Sequence, residues 1–201
     1  MKHTLFACGV LLMGSQVALA QTVPPQFQPG TQFEERTINK RTERETDHRT
    51  IRFTGMENGF YRFDVQSRNG RYSMYRDEQF NPIRWINQSA GTKEVREFFR
   101  WPMTVGEQHG FKVSTSNGTV FDMTVTVNAE ESVTTPAGTF QALRQTFSGT
   151  WSRNGQSGQR LIVDWYVPAI GWTVKSEYKD YKPDGELDNW TVDELVTASK
   201  P

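Results

Sequence analysis

The chain has 201 residues, and its 23 Lys and Arg are matched by 23 Asp and Glu, for a formal charge of zero. That balance excludes nucleic acid or an anionic membrane surface as a partner held by bulk charge, since both draw on a basic surplus. Thirteen Phe and six Trp, set among many Thr and Val, favour strands over helices.

The N-terminus sets the compartment. Met1-Lys2-His3-Thr4, an apolar run from Leu5 to about Val17 and the small residues of Ala18-Leu19-Ala20 have the anatomy of a secretory signal, with cleavage expected after Ala20. The run is too short to cross a bilayer, so no transmembrane segment is expected. The single cysteine, Cys8, lies within it. Leu5-Phe6-Ala7-Cys8 loosely resembles a lipobox, but the residues ahead of it are too few for a charged region plus an apolar core. Cys8 is expected to leave with the signal, which excludes disulfides, thiol catalysis and thiolate metal sites from the mature chain. The expected organisation is a signal over 1–20, an extended, proline-rich leader over 21–31 and one β domain over 32–201. A domain of that length can bury a core without covalent staples.

From Phe33 to Arg49 charges alternate in sign and threonines interleave them, with no apolar stripe. A solvated strand or strand pair carrying cross-strand ion pairs is expected. From Ile51 the period is two: Ile51 and Phe53, then Tyr61, Phe63 and Val65, then Tyr72 and Met74 beyond an Asn69-Gly70 hairpin signal. This is a meander, continued after Asn81-Pro82 by Ile83 to Ile86. Thr92 to Arg100 suits a short helix or a strand equally, and Pro102 ends either.

A second hairpin is expected around Asn117-Gly118, its later arm burying Phe121, Met123, Val125 and Val127. Pro136 and Gly138 mark one turn, and Pro168 and Gly171 another. Between them the apolar parity switches from Phe140 and Ala142 to Leu143 and Phe147, which predicts a bulge or a sharp coil. Ser152 to Gly158 is a polar loop, Leu161, Val163 and Trp165 a core-facing row, and Trp172, Val174, Ser176 and Tyr178 one face of the cleanest alternation in the chain. Pro183-Asp184-Gly185 turns into a last strand near Trp190 to Val196.

Trp101-Pro102-Met103-Thr104-Val105-Gly106, Thr135-Pro136-Ala137-Gly138-Thr139-Phe140 and Trp165-Tyr166-Val167-Pro168-Ala169-Ile170-Gly171 resemble a group of bacterial exported proteins of unknown function that share a PAGTF turn and a WYxPxxG turn. The resemblance covers roughly the C-terminal half. It implies an envelope protein, periplasmic or secreted, built on a strongly curved antiparallel sheet and similar to the half-barrels that carry lipoproteins or lipids. Similar proteins place a tryptophan shortly after the Val-Gly step, where this chain has Gln108 and His109. The fold expected is therefore all-β, a single strongly curved antiparallel sheet forming a half-barrel or incomplete barrel, with little helix.

No chemistry-bearing motif accompanies these turns. His48 and His109 lack ligand-spaced partners, so no metal and no cofactor are expected. A serine-nucleophile elbow is absent. Asp164 and Glu177 are the acidic residues nearest the tryptophan turns, but nothing in the sequence pairs them. A non-enzymatic role is expected. The expected ligand surface is the concave side of the sheet, lined by Tyr61, Phe63, Met74, Met123, Val163, Trp165 and Trp172, for a hydrophobic small molecule or a lipid-bearing partner. Two alternatives stay open: docking of an envelope protein through the charged N-terminal strand or a sheet edge, and glycan binding on tryptophan platforms.

Overall fold

The structure, a computed structural model, describes residues 23–87, 92–115 and 117–199. The signal and its Cys8 lie outside them. Twelve strands form one antiparallel sheet: β1 (Gln32–Asn39), β2 (Arg44–Glu57), β3 (Phe60–Ser67), β4 (Gly70–Arg76), β5 (Pro82–Asn87), β6 (Thr92–Val95), β7 (Gln108–Ser114), β8 (Val120–Thr135), β9 (Gly138–Arg153), β10 (Gln156–Val167), β11 (Trp172–Tyr181) and β12 (Leu187–Ser199). Their order is β6-β5-β4-β3-β2-β1-β12-β11-β10-β9-β8-β7. The sheet curls almost into a barrel and leaves one seam, between β6 and β7, unsealed. No helix occurs among the described residues.

Turn chemistry sets most of the registers. Asn58-Gly59 (φ 52° and 82°) and Asn154-Gly155 (51° and 77°) each place two residues at positive φ, the geometry whose twist matches paired antiparallel strands. The second closes the expected Ser152–Gly158 loop down to two residues, with Arg153 paired to Gln156. The Asn69-Gly70 signal acts one residue earlier than expected. Ser67 pairs with Gly70, so Arg68-Asn69 form the turn, and the Ser67 Oγ accepts the Asn69 N–H at 3.1 Å.

Bulges supply the curvature. The parity switch in β9 is met by a register shift between Val127 and Ala129 of β8, and two further shifts lie at Glu34/Glu35 in β1 and at Trp165/Tyr166 in β10. Each extra residue increases local twist and coils the sheet. The β8–β9 turn is thereby carried over one end of the barrel, where the Ala137 N–H bonds the Leu195 carbonyl of β12 at 3.2 Å.

The expected row Leu161, Val163 and Trp165 is corrected. The buried row of β10 is Ile162, Asp164 and Tyr166, so Val163 and Trp165 lie on the outer face. The solvated character of the N-terminal strand pair is also corrected in part, because Phe33 and Glu35 of β1 turn inward and Glu35 is buried.

The leader is more than extended chain. Phe27 inserts into the barrel with its ring 5.5 Å to 6.3 Å from those of Phe53, Phe63, Phe80 and Trp172. The Tyr61 hydroxyl donates to the Pro25 carbonyl at 3.0 Å. Pro25 also packs so tightly on the second turn that a Cβ at Gly171 (φ 69°) would stand 2.5 Å from Pro25 Cβ. Phe27→Ala is therefore expected to cost about 2–3 kcal/mol, since a half-buried ring leaves part of a cavity behind. A urea midpoint unchanged by that substitution would contradict the plug.

Inside the seam, Thr92 to Arg100 is neither one helix nor one strand: β6 ends at Val95 and the chain turns inward. Phe99 and Met103 enter the main core, Phe98 packs between it and a second cluster, and the Phe99 N–H bonds the Asn81 side chain at 2.7 Å. The buried His109 of β7 places Nε2 2.8 Å from the Glu97 carbonyl, tying the edge strand to this segment.

Candidate functional site

Two apolar clusters fill the barrel. One contains Phe33, Phe63, Phe80 and Trp172, the other Met123, Val125, Phe147 and Ile162. Between them runs a polar layer, and there the barrel holds a cavity of about 240 Å³. One wall is apolar, with Val65, Met74, Phe98, Phe99 and Trp172; the other carries Arg49, Arg76, Arg96, Asp164, Ser176 and Tyr178. A smaller cleft of about 90 Å³, lined by Phe111, Phe121, Met123 and Phe147, adjoins it, and the two share Arg96, Phe98 and Tyr178.

Alternation positions these groups. In β11, Trp172, Val174, Ser176 and Tyr178 face inward together, as the sequence predicts. In β4 the inward parity runs Tyr72, Met74, Arg76, which ends an apolar row on a guanidinium. The ladder pairs Asp164 with Ser176, and the Ser176 hydroxyl donates to the Asp164 carboxyl. Burial pushes the Asp164 pKa up to about 7, against the stabilising bond from Ser176. Burial also raises the Tyr178 pKa, with the nearby Asp164 adding to it.

The arginines differ sharply in what they touch. Arg49 is saturated: its guanidinium bonds Glu35 and Asp193, each at 2.8 Å. Burial works to lower its pKa, but the two carboxylates outweigh that and raise it. Glu35 also accepts the Trp172 indole N–H at 2.6 Å while that ring stacks on Phe33 at 4.2 Å, so this charged pair is knitted into the core. Among the described residues Arg76 makes one hydrogen bond, from Nη1 to the Phe80 carbonyl at 3.0 Å, and its guanidinium carbon stands 4.4 Å from the Phe80 ring centroid and 5.3 Å from that of Trp172. Its Nε has no acceptor among the described residues, and burial brings its pKa down to about 10.

The residues expected at the ligand surface therefore divide. Met74 and Trp172 line the main cavity, and Met123 lines the adjoining cleft. Tyr61 and Phe63 are packed beneath Phe27 and line neither. Trp165 and Val163 face outward, where the Trp165 N–H bonds Glu131 at 2.7 Å and Lys175 lies over the ring. Asp164 and Glu177 sit on opposite faces, and Glu177 accepts the Trp190 N–H at 2.7 Å. Sequence reasoning missed Arg49, Arg76 and Arg96. The available signal was a charge standing on an otherwise apolar parity, as Arg76 does after Tyr72 and Met74. Among the described residues, no group of three or more His, Cys, Asp or Glu side chains is arranged to hold a metal ion.

No family model matches the chain, and no curated protein matches its sequence. In three dimensions the chain is similar to a Bacteroides fragilis protein described as exported and as having a YmcC-like fold, with 16% identity and a TM-score of 0.55 over 90% of this chain and 100% of that one. It is also similar to a protein described as a lipoprotein from Parabacteroides distasonis, with 12% identity and a TM-score of 0.53 over 88% of this chain and 97% of that one. At such identities the likeness is one of fold, and the fold is the YmcC-like sheet described above.

Proposed function

We propose that the protein is a non-enzymatic binding protein of the bacterial cell envelope, exported by its N-terminal signal, whose ligand site is the interior cavity. The observation that carries this reading is the cavity's division into an aromatic wall and a wall of buried polar groups. A few convergent polar groups on an apolar surface are what fixes the orientation of a small ligand. The hydrophobic ligand or lipid-bearing partner expected from the sequence is thereby narrowed to an amphipathic one, because an alkyl chain alone would leave the buried Arg76 Nε without an acceptor. The alternative of docking along the charged N-terminal strand lacks a free edge there, since β1 is hydrogen-bonded to β2 on one side and β12 on the other. Among the described residues a sheet edge remains only at β6 and β7.

Protein purified natively from periplasm and denatured in organic solvent is expected to release one small molecule in near-stoichiometric amount, detected by mass spectrometry. Met74→Trp, which fills the cavity, is expected to release none. An empty extract, combined with no change in tryptophan fluorescence or melting temperature across fatty acids and phospholipids, would defeat the reading.

A further inference from the structure

We infer that the cavity binds an oxyanion, a carboxylate or a phosphate carried on a short apolar group, with Arg76 and Arg96 as its anchors. This rests on the reading of the cavity as a ligand site and names the chemistry of its occupant.

The two arginines are placed side by side by the ladder. Arg76 of β4 pairs with Pro82 of β5, and the Arg96 N–H bonds the Pro82 carbonyl at 3.1 Å from the other side. Residues in such a row point to one face, and two strand spacings separate the outer pair by about 10 Å. Both guanidinium groups line the same cavity with Pro82 between them, and side chains of that length can converge on one anion.

Neither arginine donates a hydrogen bond to a carboxylate among the described residues. Arg76 has no carboxylate within ion-pair distance among the described residues, and its Nε is buried without an acceptor. Arg96 has only Glu94, at 4.0 Å, whose own oxygens are buried without a hydrogen bond. Burial lowers the Arg96 pKa, and the positive charges of Arg160 and Arg84 add to that while Glu94 opposes it. Asp164, which faces Arg76, is held largely protonated below about pH 7. Leaving the buried Arg76 guanidinium without a counter-charge is costly, and an incoming oxyanion removes that cost. Arg49 supplies the internal contrast, because its two carboxylates already occupy it. The apolar part of the ligand has a place beside the anchors, in the cleft that shares Arg96 and Phe98 with the cavity.

The test titrates the full mature chain by calorimetry with decanoate, decyl phosphate, decanol and inorganic phosphate, and repeats the series on Arg96→Met, which replaces a half-exposed side chain. Decanoate or decyl phosphate is expected to bind at least about tenfold more tightly than decanol, and Arg96→Met is expected to remove that advantage while decanol binding is unchanged. The preference between the two anionic probes assigns the head group as carboxylate or phosphate. Inorganic phosphate is expected to bind at least about tenfold more weakly than decyl phosphate; equal binding would overturn the apolar part of the inference. Decanol equal to both anions, or anion binding indifferent to Arg96→Met, overturns the oxyanion assignment and leaves the binding-protein reading standing. Binding of none of the probes, with an empty native extract, overturns both.

Discussion

Gly149→Ala is expected to lower stability by at least about 3 kcal/mol, with a matching fall in the urea midpoint. Gly149 sits within β9 opposite Met123 of β8. A Cβ there would lie 2.8 Å from Met123 Cα and closer still to the Asp122 carbonyl oxygen, and these are backbone atoms that cannot rotate away. Nor can the strands part, since β8 is paired with β7 on its far side and β9 with β10 on its own. Relief requires re-pairing the longest hairpin of the sheet. A wild-type midpoint for this variant would contradict the close approach of the two strands.

Asp164→Asn is expected to stabilise the protein at pH 8 and to flatten its pH dependence. The folded protein holds the Asp164 proton up to about pH 7, whereas the unfolded chain releases it near pH 4. In that window the native state binds more protons than the unfolded state, so stability is greatest below about pH 4 and falls as pH rises through about 7, after which the contribution is constant. The shift corresponds to up to about 4 kcal/mol. Asparagine keeps an oxygen for the Ser176 hydroxyl and removes the titration. Urea unfolding of both proteins at pH 5 and pH 8 reads the difference between their slopes; parallel slopes would show that Asp164 is already ionised in the folded barrel at pH 5, as it is in the unfolded chain.

These two positions also mark what the sequence could and could not reveal. Alternation in β8 and β11 was legible because one parity is apolar and the other polar, so Met123, Val125, Trp172 and Val174 could be placed inside from their spacing alone. In β10 both parities carry large apolar residues, and the inner one contains Asp164. Counting hydrophobicity therefore selects Leu161, Val163 and Trp165, the row that faces outward. The half-barrel character was legible in the turns and in the parity switch of β9. The site was largely not. Arg49, Arg76 and Arg96 act through neighbours brought from other strands, and a single charge on an apolar row looks locally like the end of a strand. Phe27 gave no signal either, because its burial depends on four strands and the Phe80 loop, which its proline-rich surroundings do not specify.

The strand order carries a consequence for how the chain reaches this state. Every neighbouring pair in the sheet is adjacent in sequence except β1 with β12, whose paired residues are separated by more than a hundred positions, as in Phe33 with Ala198. Strands β1 to β6 and β7 to β12 are thus two meanders whose hairpins close at short range, and the β1–β12 ladder is where they dock. Short loops close quickly and the long one slowly. The rate-limiting encounter is expected to be the docking of two preformed half-sheets along that ladder. The Arg49–Glu35–Asp193 cluster straddles it, drawing one member each from β2, β1 and β12, and so is completed only when the halves meet.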